Sequence, residues 1–188
     1  MWIVAVAMFT SSSLLAFMSE TSGWSTITYQ VYYFFLSPMV AFMGVGTLYL
    51  LADKSWAKYF LTYTIILSLS FLILIFTTPI DTVQLTTFSP PSEIGSTAIS
   101  GYPKLLSPLL SIPGGLVLIG GALYGFWIDR SRKYTLLIGI GGIIQLASGF
   151  RARFGGNLTY FFLFTTVGVL FLFLGFLLSS EYVKHDRK

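Results

Sequence analysis

Residues 105–128 read LLSPLLSIPGGLVLIGGALYGFWI and close on Asp129-Arg130. No side chain in that run carries a charge. A helix of about 20 such residues, rising ~1.5 Å each, crosses a hydrocarbon core of about 30 Å. In lipid the backbone must satisfy its own polar groups, so an uncharged run of this length is read as a helix. Five further stretches are of the same kind, at 2–18, 29–51, 59–78, 134–150 and 159–179. All seven acidic and all eleven basic residues lie between these stretches, at their ends or in the tails. The helices of a soluble core do not give six uncharged runs in one small chain. The sequence predicts an all-α polytopic transmembrane bundle of about six helices, forming a single domain over residues 1–188.

Composition points the same way. The chain is 55% hydrophobic and 10% charged, with a mean hydropathy of +0.80. Soluble domains carry about 25% charged residues, and so few charges cannot coat a water-facing surface. The net charge of +4 is spread over several loops, so no basic stripe points to nucleic acid. There is no cysteine and only one histidine, His185. Disulfides, thiolate chemistry, iron–sulfur clusters and a bis-histidine haem within the chain are thereby excluded. No cofactor and no metal site are expected. The N-terminus lacks a basic leader, and Ala16-Phe17-Met18-Ser19 is a poor cleavage site, so residues 2–18 read as a retained first helix.

Orientation follows from the basic residues. Lys54, Lys58, Arg130, Arg132, Lys133, Lys184, Arg187 and Lys188 fall on one side of the predicted spans, and Lys104, Arg151 and Arg153 on the other. The positive-inside rule puts both termini in the cytoplasm of a cell whose plasma membrane holds the protein. Six spans require the termini to share a side. Trp2, Trp24, Trp56, Trp127, Tyr134 and Tyr182 sit near predicted helix ends, where interfacial anchors belong. The cytoplasmic tail covers about 180–188. The outer loop, about 79–104, is Ser/Thr-rich with Pro90-Pro91. It is long enough to be a functional lid and bland enough to be a solvated connector. A glycosylation sequon at Asn157-Leu158-Thr159 abuts the last span, out of reach of a transferase.

The second and fourth spans share a pattern. Pro38 precedes Gly46-Thr47-Leu48-Tyr49 by the same spacing that separates Pro113 from Gly121-Ala122-Leu123-Tyr124. A parallel repeat or chance in a biased composition both account for it. Each proline lies roughly 13 Å into its helix at ~1.5 Å per residue. Each removes a backbone hydrogen bond and frees a carbonyl that must find a partner or face a cavity. Pro113-Gly114-Gly115 reads as the sharper break. Paired broken helices point to a transporter site, and an ordinary packed kink is the plainer reading. Gly121 and Gly125 form a small-xxx-small pair, and the fourth and fifth spans, rich in glycine, are expected to form a tight hairpin.

The spans hold no ionisable acid or base, which proton-coupled transporters usually need. Buried general acid–base chemistry would rest on Tyr32, Tyr33, Tyr49, Tyr63 or Tyr124, all equally readable as contact residues. Gln30 and Gln145 are the only amides in or near the spans, and Gln145 reads as helix glue or as a ligand contact. Arg151 and Arg153 sit on the outer side against the charge trend. If the helix ends at Gly149, an extended chain puts both on one side, facing Glu20, Asp81 or Glu93 or an anionic headgroup. If it continues, they diverge by about 200°. Snorkelling to lipid phosphate is the alternative role.

Gly23-Trp24, Val31-Tyr32-Tyr33, Gly46-Thr47-Leu48-Tyr49-Leu50-Leu51, Thr78-Pro79-Ile80-Asp81, Ile112-Pro113-Gly114, Gly120-Gly121-Ala122-Leu123-Tyr124 and the Arg151/Arg153 segment together resemble a group of uncharacterised multi-pass membrane proteins of bacteria and archaea. The resemblance covers most of the chain with loose motifs. It implies a six-helix membrane fold and carries over no catalytic residue. The function expected is non-enzymatic binding of a membrane lipid or another membrane protein, self-association included, in an accessory or scaffold role. The alternative is a small transporter or channel subunit. Candidate binding residues are Arg151, Arg153, Gln145, Tyr32, Tyr33, Pro38 and Pro113.

Overall fold

The structure, a computed structural model, describes residues 1–51, 54–87, 94, 96–130, 133–153 and 158–185; side chains are described for 1–49, 54–87, 94, 96–130, 133–149 and 163–178. Among them there is no strand. The helices are α1 Trp2–Ser22, α2 Thr26–Leu36, α3 Met39–Leu51, α4 Lys54–Thr77, α5 Thr82–Thr87, α6 Tyr102–Ile128, α7 Lys133–Arg153 and α8 Leu158–His185. Every predicted span is helical, the second in two pieces. Among the described residues, four stretches are long and apolar enough to cross a membrane: Trp2–Ser22, Thr26–Tyr49, Lys54–Thr77 and Tyr102–Ile128. Within α8, Leu163–Leu178 is a shorter apolar helix.

Local chemistry sets the helix ends. Gly23 takes φ +70°, which an L side chain resists, and turns the chain out of α1. Ser25 caps α2, its hydroxyl accepting from Thr28 N at 3.1 Å. Gly101, at φ +71°, leads into α6, whose first turn holds Pro103.

The packing is inverted relative to a soluble protein. Large apolar side chains face outward, among them Ile3, Phe17, Ile73, Leu116 and Phe173. The interior takes small and hydroxyl residues: Ala5, Ser12, Ala16 and Ser19 on α1, and Ala57, Thr64 and Ser68 on α4. Their hydroxyls are largely spent on the preceding turn, as in Ser12→Phe9 O and Thr64→Phe60 O. Small residues let backbones approach, and that is how helices associate without a hydrophobic drive.

Two interfaces close backbone to backbone. A Cβ on Gly114 of α6 would lie 2.5 Å from Ala41 Cα and 2.6 Å from Val40 O of α3. A Cβ on Gly141 of α7 would lie 2.7 Å from Gly168 O of α8, and one on Gly175 2.9 Å from Tyr134 O. α6 and α7, the expected glycine-rich hairpin, also pack, a Cβ on Gly142 lying 3.0 Å from Ile119 Cγ1, but there glycine meets side chain, and backbone meets backbone at α3–α6 and α7–α8. At Gly125 an added Cβ meets nothing nearer than Thr135 at 3.5 Å, an ordinary contact.

The outer loop is no loose connector. Asp81 caps α5, its Oδ1 accepting from Val83 N at 3.0 Å and Gln84 N at 3.2 Å. The backbone N–H of Asp81 donates to Ala98 O at 3.1 Å. Ile80, Leu85, Ile94, Ala98 and Ile99 are buried against the adjoining ends of the helices; outer, for this cap and that end of the bundle, is only a label taken from the expected orientation. Trp56 and Trp127 stand exposed as anchors should, but Trp24 is buried, and Trp2 tucks its indole over Gly46 and against Phe176, with ring centroids 5.3 Å apart. α8 runs 28 residues to His185, so residues expected as a loose tail continue the helix. Asn157 lies outside the described residues.

Candidate functional site

Pro38 and Pro113 lie on helical runs that face each other, and the helix is interrupted at only one of them. α2 stops at Leu36 and α3 starts at Met39. Ser37 N–H still donates to Tyr33 O at 3.1 Å, and Phe42 N–H to Pro38 O at 3.0 Å, so the break is confined to the proline. α6 instead runs unbroken through both Pro108 and Pro113. The sharper break predicted at 113–115 is therefore at 37–38. At Pro113 the lost bond is replaced. Pro113 has no N–H for Leu109 O, four residues back. The Tyr63 hydroxyl of α4 donates to that carbonyl at 2.7 Å.

The same device ends α4. Ile75 O would take the amide of residue 79, which is Pro79. Gln30 Nε2, from α2, donates to it at 2.9 Å. Two proline-orphaned carbonyls are thus satisfied by polar side chains from neighbouring helices, and both bonds tie α4 into the bundle.

Between the two proline-bearing helices there is direct contact. Ser37 Oγ and Ser107 Oγ are 3.0 Å apart and buried. Seven positions further along each chain, Gly44 meets Gly114, where a Cβ on Gly44 would lie 2.7 Å from Gly114 O. The helices are therefore parallel and in register. The contact pairs Leu36-Ser37-Pro38 with Leu106-Ser107-Pro108, each followed by a glycine six residues after its proline. The alignment of Pro38 with Pro113 made on sequence is offset by five residues from the pairs that touch.

Tyr32 and Tyr33 lie elsewhere, in a buried aromatic cluster beneath the outer cap. Trp24 sits 5.0 Å from Tyr32 and 5.5 Å from Tyr29 between ring centroids, and Tyr33 sits 5.9 Å from Phe71. Tyr29 is hydrogen-bonded to the backbone at Ala98 of the cap. The rings fill the space between them and act as packing. Tyr49 and Tyr124 are exposed.

Gln145 lies at the α7–α8 seam. Its Cγ would be 2.8 Å from a Cβ on Gly168, and its Nε2 is buried without a partner. One turn on, Ser148 Oγ is 3.2 Å from Thr165 Oγ1. α7 does not end at Gly149 but continues through Arg153. Positions 151 and 153 are therefore about 200° apart around one helix, not on one side of an extended chain. Their side chains, and Glu93, lie outside the described residues.

No family, curated protein or solved structure matches this chain. Its chemistry must be read from the geometry alone. Among the described residues no three of His, Cys, Asp or Glu cluster as a metal site. The candidate residues fall into three separate places: the outer aromatic cluster, the proline crossing and the α7–α8 seam. What these places offer is neutral hydrogen bonding and close packing. Sequence reading singled out Gln30 and Tyr63 without their partners, and missed Ser37, Ser107 and Gly44. Two signals could have found them: prolines four residues after Ile75 and Leu109, and the doubled Leu-Ser-Pro.

Proposed function

We propose that this chain is a six-span protein of the plasma membrane with both termini in the cytoplasm. It is non-enzymatic and binds a lipid or another membrane protein in an accessory or scaffold role. The observation that carries this reading is the closed crossing of α3 and α6. The backbone of Val40 and Ala41 lies against Gly114, and the carbonyl freed by Pro113 is already taken by Tyr63. A transport path between these helices would need room that the backbone fills. The outward surface, by contrast, is apolar on every long helix with described side chains.

In this reading Arg151 and Arg153, on different sides of the end of α7, each meet an anionic headgroup separately. Native mass spectrometry in mild detergent, at fixed ionic strength, tests this. The wild type should retain an anionic lipid that Arg151→Gln with Arg153→Gln releases. An identical set of bound lipids in both proteins would reduce the arginines to membrane anchors and leave binding of a partner protein as the role to test.

A further inference from the structure

The apolar interior is two clusters, not one. The outer cluster joins Leu15 and Ala16 of α1, Tyr29, Tyr32 and Tyr33 of α2, Phe71 and Ile75 of α4, Leu106 and Leu110 of α6, and the cap. The inner cluster joins Ala5, Met8 and Phe9 of α1, Met39 and Met43 of α3, Leu118 of α6, Ile138 of α7 and Leu172 of α8. Among the described side chains, α4 and the cap contribute to the outer cluster alone, and α7 and α8 to the inner alone.

Three helical runs pass from one cluster to the other, and each carries residues that weaken a helix where it passes, although α1 and α6 stay continuous there. On α1 the crossing falls between Phe9 and Leu15, at Thr10-Ser11-Ser12-Ser13. There Thr10 and Ser12 hydroxyls donate back to Val6 O and Phe9 O, both at 2.9 Å, a bonding pattern that bends helices. On α2–α3 it falls at the Ser37-Pro38 break, with Ala41, one turn on, still touching the outer cluster. On α6 it falls between Leu110 and Leu118, at Pro113-Gly114-Gly115. Sharp helix bends arise at prolines and at Gly/Ser pairs, and here all three sites lie on one boundary.

We infer that this boundary is a hinge. The outer body, made of α4, the cap and the outer halves of α1, α2 and α6, rocks against the inner body around α7 and α8. The Ala41/Gly44–Gly114 contact is the pivot, because backbone touching backbone leaves rotation but no sliding side chains to clear. The Ser37–Ser107 hydroxyl pair is the polar link beside it. Paired, small hinge elements that absorb a domain rotation are a recurrent way for membrane proteins to change state. The inference does not depend on what the protein binds.

The chain has no cysteine, so spin labels can be placed freely. One label pair spans the bodies, at Ile73→Cys and Phe173→Cys, both exposed. A control pair, Ile66→Cys and Val83→Cys, stays within the outer body. Pulsed electron–electron distances would be measured in lipid nanodiscs. The spanning pair should give a distribution broader than the control, or two populations. Pro38→Ala with Pro113→Ala should narrow it to the control width and leave the control unchanged. Ser12→Ala, which removes an oxygen and adds nothing, should narrow it in part and guards against misfolding of the proline variant. A wild-type spanning distribution as narrow as the control would overturn the hinge, as would a broad one that none of these substitutions moves.

Discussion

A methyl group on Gly114 would arrive 2.5 Å from Ala41 Cα, and both atoms belong to, or are bound to, the backbone. Neither can swing aside. Gly114→Ala should therefore part α3 from α6, with a cost of about 1–3 kcal/mol, the usual range for overpacking. Gly120, two turns along the same helix, has nothing within 4 Å of its missing Cβ. Gly120→Ala should be neutral or stabilise by about 0.5–1 kcal/mol, since alanine loses less backbone entropy in a helix. Melting in detergent measures both. Equal melting temperatures for the two variants would mean that α3 and α6 do not meet at Gly114. Composition alone showed glycine crowding in this helix, and only neighbours from another helix say which glycine is indispensable.

At the scale of the element, α4 is held by hydrogen bonds that exist because two prolines left carbonyls open. Tyr63→Phe removes the donor to Leu109 O. The loss should be near the average of about 0.6 kcal/mol for hydrogen bonds between membrane helices, with a ceiling of about 1.7 kcal/mol. The diagnostic is its coupling to Pro113. In a Pro113→Ala background the amide of residue 113 can serve Leu109 O itself, so Tyr63→Phe should then cost little. A double-mutant cycle by unfolding in mixed micelles reads the difference. Additive losses would show that the hydroxyl and the proline act independently. Tyr63 was legible as a tyrosine within a span, and its partner was not, because residues 63 and 109 are brought together by the packing of α4 on α6.

At the scale of the whole molecule, the proposed orientation rests on eight basic residues against three. Ser55→Cys and Ser100→Cys, both at exposed positions, test it on intact cells with an impermeant thiol reagent. Ser100→Cys should label and Ser55→Cys should not, and the reverse pattern would invert the protein. α8 bears on the same question. Its 28 residues span about 42 Å, against a core of about 30 Å, so one end must project beyond the membrane. With the termini inside, that end is the turn leading to His185.

The sequence by itself determined the solvent and the secondary structure. A long uncharged run in lipid must be a helix, because lipid offers the backbone no other partner, and that constraint acts on each segment alone; among the described residues four helices are long and apolar enough to cross a membrane. It also marked Pro38 and Pro113 as places where the helical ladder loses a bond. Only the tertiary structure decided what each proline does. The helix is interrupted at Pro38, whereas α6 stays continuous through Pro113, where Tyr63 arrives from α4 to take the orphaned carbonyl. Likewise the outer loop could be counted in residues but not seen as a cap, since the burial of Ile80, Ile94 and Ile99 depends on the aromatic cluster beneath them. Helix–helix register carries no local signature: with lipid as apolar as leucine, it is fixed by which small residues let two backbones touch.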